Sequence, residues 1–357
     1  MTRTITTPRP RRRIAGLAAA VTAAGLLLSA CSGSSSDEGT TAAGGGEDSF
    51  DAISVQLSWL KNQQFAGEYV AAEDGLYTDA GFEDVTLTAG GSSATSAEAA
   101  VATGQAFVGI SSPLITAPAI QGGAELKIIG STYQRNPFAL ISAASAPIEG
   151  PDDLAGATIA VSDSNTLVWN AFLAANEIDP ADVTTVPLSD TSMLTTGQVD
   201  GYIGYTTSGA SALVQAGFDA TEFLLADEGL PMVGEVLVTS QDAIDEQPEA
   251  VKAFLLATVQ GWQGALADPE RAVDLTVNTY GKDQQYDLAA TTLAFDRQAE
   301  LIATDETATN GILTVSEELQ EGTIASLGYA GIDIAAQDLF DLSLLDEVYA
   351  ENPDLLS

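Results

Sequence analysis

VQLSWLKNQQFAGEYVAAEDGLY, residues 55–77, joins an alternating apolar run to a helical pattern through a short polar loop. The alternation from Ile53 to Trp59 predicts a half-buried strand. Phe65 to Asp74 predicts a helix, and Gly75 ends it. The same unit recurs along the chain. Val85–Ala89 reads as a strand, and Gly90-Gly91-Ser92-Ser93 leads into a helix from Ala94 to Thr103. Phe107–Ser111 is a strand followed by a helix from Leu114 to Gln121, and Lys127–Ser131 and Phe138–Ala143 are strands. This βαβα order predicts an α/β fold with a parallel sheet covered by helices.

A second unit starts near Pro147. Thr158–Ser162, Val183–Pro187 and Asp200–Tyr205 read as strands, with helices at Leu167–Glu177 and Ala210–Ala216. Phe223–Ala226 and Val233–Thr239 are further strands, the latter leading back to the first unit. The remainder is mostly helical. Val251, Phe254, Leu255, Val259, Trp262 and Leu266 fall on one helix face, bounded by Pro248 and by Asp268-Pro269. The expected division is lobe 1 from residues 51–145 plus 236–357 and lobe 2 from residues 146–235, with a ligand cleft between them. In open α/β sheets, ligands bind outside the carboxyl ends of the strands. The segments 59–65, 90–95, 111–113, 132–137, 162–169 and 205–209 are therefore where a site is expected.

The N-terminus has a different logic. Arg9 to Arg13 is basic, Ile14 to Leu28 is apolar but short of the ~20 residues a spanning helix needs, and Leu28-Ser29-Ala30-Cys31 follows. Residues 1–30 read as a signal peptide. The ending resembles a bacterial lipobox, which implies lipidation of Cys31, the chain's single cysteine. The Arg11-Arg12-Arg13 run leaves general and twin-arginine export both open. Residues 31–50 are Gly, Ser, Thr and acids with almost nothing apolar, the composition of a flexible tether. The expected location is the extracytoplasmic face of the cell membrane, held by a lipid anchor.

Composition narrows the chemistry. The 357 residues include 50 acidic and 12 basic side chains and no histidine. Five of the basic residues precede residue 14, so from residue 31 onward 7 basic face 50 acidic side chains, a formal −43. Such a surface repels phosphate backbones, so nucleic acid is not an expected partner. Without histidine there is no Ser-His-Asp triad, Cys-His pair or imidazole acid–base catalysis, and one cysteine excludes internal disulfides. No nucleotide motif is present: Gly281-Lys282 lacks the earlier glycine and the following Ser or Thr of a phosphate loop. The expectation is a protein that is not an enzyme and carries no cofactor and no metal.

The strand exits carry aromatic and neutral polar side chains, as a planar heterocycle held between two lobes would require. Trp59, Phe65, Tyr133, Trp169 and Tyr205 offer ring faces; Gln63, Gln64 and Asn165 offer amides. Each has a second reading. Trp59 is either a cleft residue or a strand-end core residue; Phe65 and Trp169 are either contacts or the first core residues of their helices. Ser92 sits at a helix start, where capping competes with ligand binding. Arg135 is a guanidinium near a cleft exit that either meets an acidic ligand group or forms an inter-lobe salt bridge.

The 55–77 stretch resembles the opening of ABC-transporter substrate-binding proteins in the nitrate, taurine and sulfonate and thiamine-pyrimidine-precursor superfamily. In that group a strand ends in Trp, a polar loop follows, and a helix with an Ala-Gly pair runs to an acidic-Gly stop. The resemblance continues through Gly90-Gly91, Gly104 to Gly109, Gln121-Gly122, Tyr133-Gln134-Arg135-Asn136-Pro137, Asp152-Asp153-Leu154-Ala155-Gly156 and Gly197-Gln198-Val199-Asp200-Gly201-Tyr202. It covers most of residues 53–266. It implies a two-lobe periplasmic-binding-protein fold of type II. It also implies capture of a small heteroaromatic nutrient, such as a thiamine pyrimidine precursor or a riboflavin-like flavin, and its delivery to a membrane permease driven by a separate ATPase. A sulfonate, taurine or nitrate anion is the alternative ligand, and a surface lipoprotein or a histidine-independent enzyme the alternative class.

Overall fold

The computed structural model describes residues 49–356. The signal peptide, Cys31 and nearly all of the tether lie outside the described residues. The body contains two five-stranded sheets. Strands β1 (Ile53–Gln56), β2 (Val85–Thr88), β3 (Val108–Ser111) and β4 (Leu126–Tyr133) belong to the first, and β5 (Phe138–Ala143), β6 (Thr158–Val161), β7 (Thr184–Pro187), β8 (Gly201–Tyr205) and β9 (Ala220–Leu224) form the second. Strand β10 (Gly234–Ser240) returns to complete the first sheet.

The strand orders are β2-β1-β3-β10-β4 and β7-β6-β8-β5-β9. β1 runs parallel to both β2 and β3, and β6 runs parallel to both β7 and β8, as helical crossovers require. The sheets are not wholly parallel. β10 is antiparallel to β3 and β4, and β5 is antiparallel to β8 and β9. These two strands are the ones the chain enters directly from the other sheet, without a helical crossover.

β5 also corrects the expected domain boundary. Phe138–Ala143 belongs to the second sheet and not to the expected first lobe: Phe138 pairs with Tyr205 and Ala139 with Leu224, both in the second sheet. The chain therefore leaves the first sheet at residues 134–137, not near 145, and returns over 225–233.

The helices follow the apolar spacing. The Pro248–Ala267 helix buries Val251, Phe254, Leu255, Val259 and Trp262, the face read from the sequence. It packs against the Ala66–Glu73 helix, and Gly67 allows the approach: a Cβ there would lie 2.3 Å from the Trp262 ring. Gly90 serves the loop after β1 in the same way. A Cβ on it would meet the Leu57 carbonyl oxygen at 2.2 Å, and its N–H donates to the Trp59 carbonyl at 2.8 Å. Among the described residues no helix is long and apolar enough to cross a membrane.

Candidate functional site

Each sheet has a point where successive crossovers turn to opposite sides, between β1 and β3 in the first and between β6 and β8 in the second. Crevices open at such points, outside the carboxyl ends of the strands. The two crevices merge into one cavity of about 1010 Å³, the upper end of what small-molecule sites occupy.

The loop after β1 is organised by a chain of side-chain hydrogen bonds. The Gln64 backbone N–H donates to Asn62 Oδ1 at 2.9 Å, and Asn62 Nδ2 donates to Gln64 Oε1 at 2.6 Å. Gln64 Nε2 then donates to Glu235 Oε1 at 3.0 Å, and Ser58 Oγ donates to Glu235 Oε2 at 2.9 Å. Both oxygens of a buried carboxyl are thus held by neutral donors from one strand exit. Burial pushes the Glu235 carboxyl up to about 7, and the bonds from Ser58 and Gln64 only partly oppose this. Its backbone has φ 48°, a left-handed conformation uncommon for glutamate. A second carboxylate in the wall, Glu98, accepts hydrogen bonds from Ser111 Oγ and, at 3.0 Å, from Thr116 Oγ1.

Six of the ten ligand residues expected from the sequence border this cavity: Trp59, Gln63, Gln64, Ser92, Asn165 and Tyr205. Trp59 remains 47 % exposed, so it is not a core residue. Tyr205 lies edge-on to Phe138, with centroids 4.7 Å apart. Asn165 Nδ2 donates to the Ile203 carbonyl at 3.4 Å, tying the start of one helix to β8.

The other four are placed elsewhere. Phe65 is fully buried and meets Tyr69 edge-on, because the first turn of its helix faces the core. Trp169 is buried, packs its ring on Phe172 and donates from Nε1 to Thr185 Oγ1 at 3.0 Å. Tyr133 is fully buried behind the loop: its hydroxyl donates to Gln298 Oε1 at 3.0 Å, and Gln298 Nε2 donates to the Gln63 carbonyl at 2.8 Å. It supports the cavity wall without lining it. Arg135 pairs with Asp227, joining the two segments that connect the sheets.

Sequence reasoning missed Glu235, Glu98, Phe138 and Tyr202, all in the wall. Glu235 carried a signal, a charge inside the apolar run Val233–Thr239. Glu98 follows Ser96, which caps its helix by accepting from the Ala99 N–H at 3.2 Å, so nothing local distinguishes it from an ordinary first-turn acid.

Comparisons with known proteins agree with this fold. The chain is 28% identical over 256 residues to the riboflavin-binding protein RibY of Chloroflexus aurantiacus, covering 68% of this chain and 70% of that one. The aliphatic sulphonate binding protein SsuA of Escherichia coli has a similar structure, with TM-score 0.61 and 13% identity, covering 87% of this chain and 90% of that chain. The desulfurization enzyme DSZB does too, with TM-score 0.57 and 15% identity, covering 85% and 99%. One fold thus serves binding and catalysis, so function rests on the site. The fold is that of the periplasmic binding proteins, and residues 62–272, more than half of the chain, match the family described as NMT1/THI5 like, to which this protein belongs.

Proposed function

We propose that this protein is the extracytoplasmic substrate-binding protein of an ABC importer and that its cavity captures a small heteroaromatic nutrient, a thiamine pyrimidine precursor or a riboflavin-like flavin. The observation that carries the reading is the chemistry of the cavity wall. Trp59, Phe138 and Tyr205 line the cavity together with the amide side chains of Gln63, Gln64 and Asn165, and no lysine or arginine is among the lining residues. Planar heterocycles are held by ring faces and a few fixed polar groups. The likeness to a riboflavin-binding relative supports the same ligand class. The two segments at 134–137 and 225–233 are the natural hinge about which two lobes close. The ligand then passes to a permease powered by a separate ATPase, with the body tethered through lipidated Cys31.

A sulfonate or nitrate ligand is the second reading, favoured by the shared fold with SsuA. The wall argues against it, since anion sites ordinarily use Arg or Lys. Catalysis would have to proceed without histidine, because the chain has none. Calorimetric titration with riboflavin, an aminopyrimidine, taurine and nitrate tests the proposal. Saturable binding of either heterocycle is expected; binding of taurine or nitrate alone refutes it. Chromatography of the recovered heterocycle should show it unchanged, and a product would mean an enzyme.

A further inference from the structure

The described chain has seven basic residues, Lys61, Lys127, Arg135, Lys252, Arg271, Lys282 and Arg297, and none lines the cavity. Those with ionic partners have them elsewhere. Arg135 pairs with Asp227, Lys252 with Glu249, Glu347 and Glu351, Arg271 with Asp74, and Arg297 with Glu222. The wall instead carries three acidic side chains from three different elements: Glu98 on the helix after β2, Glu235 at the start of β10, and Asp287 at the rim. Two of the helix starts at the cavity are poor substitutes for a basic side chain, whereas the start of the Thr166–Ala175 helix carries no acid in its first turn. The first turn of the Ala97–Ala102 helix already holds Glu98, and the Pro113–Gln121 helix begins with a proline, which has no N–H to donate. Two other wall residues, Tyr202 and Thr207, carry buried hydroxyls with no hydrogen-bond partner among the described residues, so the polar capacity left in the wall is neutral.

We propose that Glu98, Glu235 and Asp287 make the cavity selective for the uncharged, unphosphorylated form of its heterocycle and exclude the corresponding phosphate monoester. The proposal rests on the heteroaromatic reading above and adds a charge rule to it. A phosphate brings nearly two negative charges into a space whose lining supplies no counter-charge and whose charged side chains are acidic alone; Glu235, raised to about 7 by burial, adds its full charge above that pH. Like-charge juxtaposition of this kind is a common way of rejecting a wrong partner. The importer would therefore take up the product of a phosphatase or nucleotide-cleaving reaction.

The test is calorimetric titration of the protein at pH 8, above the value to which Glu235 is raised, with two matched pairs. One is riboflavin and riboflavin 5′-phosphate; the other is 4-amino-5-hydroxymethyl-2-methylpyrimidine and its phosphate. One neutral parent should bind, and its phosphate should bind at least about a hundred-fold more weakly, with the gap narrowing at high salt. Asp287→Asn keeps the side-chain oxygen that caps the helix from Leu288, where Asp287 accepts from the Ala290 N–H at 2.9 Å. That variant should bind the phosphate several-fold better than the parent protein does, and the ratio of neutral to phosphate affinity should fall by a similar factor. A phosphate that binds within tenfold of its neutral parent overturns the charge rule while leaving the heteroaromatic reading intact. Binding of neither parent overturns both.

Discussion

Raising the pH from 5 to 8 should destabilise this protein, and two buried carboxyls set the size of the effect. Glu68 lies on the buried face of the Ala66–Glu73 helix, 1 % exposed, with Oε1 accepting from Trp262 Nε1 at 3.4 Å and Oε2 without a hydrogen-bond partner among the described residues. Burial raises it from 4.5 to about 7, and the nearby Glu235 adds to the rise. Glu235 is raised to about 7 in the same way. In the unfolded chain both lose their protons near 4.5; in the folded protein both keep them until near 7. Between those values the folded state binds more protons, so stability falls as pH rises. The loss starts near pH 4.5 and is complete above pH 7. A displacement of that size is worth about 3 kcal/mol per carboxyl at roughly 1.4 kcal/mol per decade, and the two are coupled, so their effects do not simply add. In melting temperature this is on the order of 5 °C for each carboxyl. The assay is thermal unfolding by circular dichroism from pH 5 to 8 in 0.5 M NaCl, which screens repulsion among exposed acids but not the buried groups. Glu68→Gln and Glu235→Gln should each flatten the profile, and the double variant should nearly abolish it. An unchanged slope in the double variant would refute the reasoning and assign the pH dependence to surface charge.

Three further outcomes are expected. Trp59→Ala should weaken heterocycle binding by roughly ten- to a hundred-fold, the worth of a stacked ring, with a stability change of about 0.5 kcal/mol because the side chain is half exposed; intact affinity removes it from the site. Gly67→Ala would place a methyl 2.3 Å from Trp262 and should cost about 1–3 kcal/mol in denaturant unfolding, or more where the helices resist separation; a neutral result would mean the two helices part freely. Cys31→Ala should release the protein from the membrane fraction, and a variant that still sediments with membranes would rule out the lipid anchor.

The local unit, strand then polar loop then helix, was legible because its signals lie within a few residues of one another. Period-two alternation, the run to Gly75 and the single helix face of Val251 to Trp262 all depend on neighbours in sequence. Strand exits follow from the same units, which is why Trp59, Gln63, Gln64, Ser92, Asn165 and Tyr205 could be placed beside a cavity. Facing is a different matter. β4 is buried on both sides along nearly its whole length, so no alternation tells whether Tyr133 turns to the cavity or to Gln298. Val168 lines the cavity while its neighbour Trp169 packs on Phe172, because adjacent helix residues point about 100° apart and only the packing partners choose between them.

Tertiary pairing decided the rest. Phe138–Ala143 has an ordinary strand pattern, and its membership of the second sheet depends on Tyr205 and Leu224, 67 and 85 residues beyond Phe138 and Ala139. Glu235 stood out only as a charge in an apolar run. Its role arises from Ser58 and Gln64, 177 and 171 residues away, which the fold brings against its two oxygens. The amino-acid sequence alone thus determined the elements and the ends at which a ligand could sit, since those are properties of short segments. Which side chains share the cavity, and that its charge is wholly acidic, came from contacts between distant segments, which no local pattern encodes.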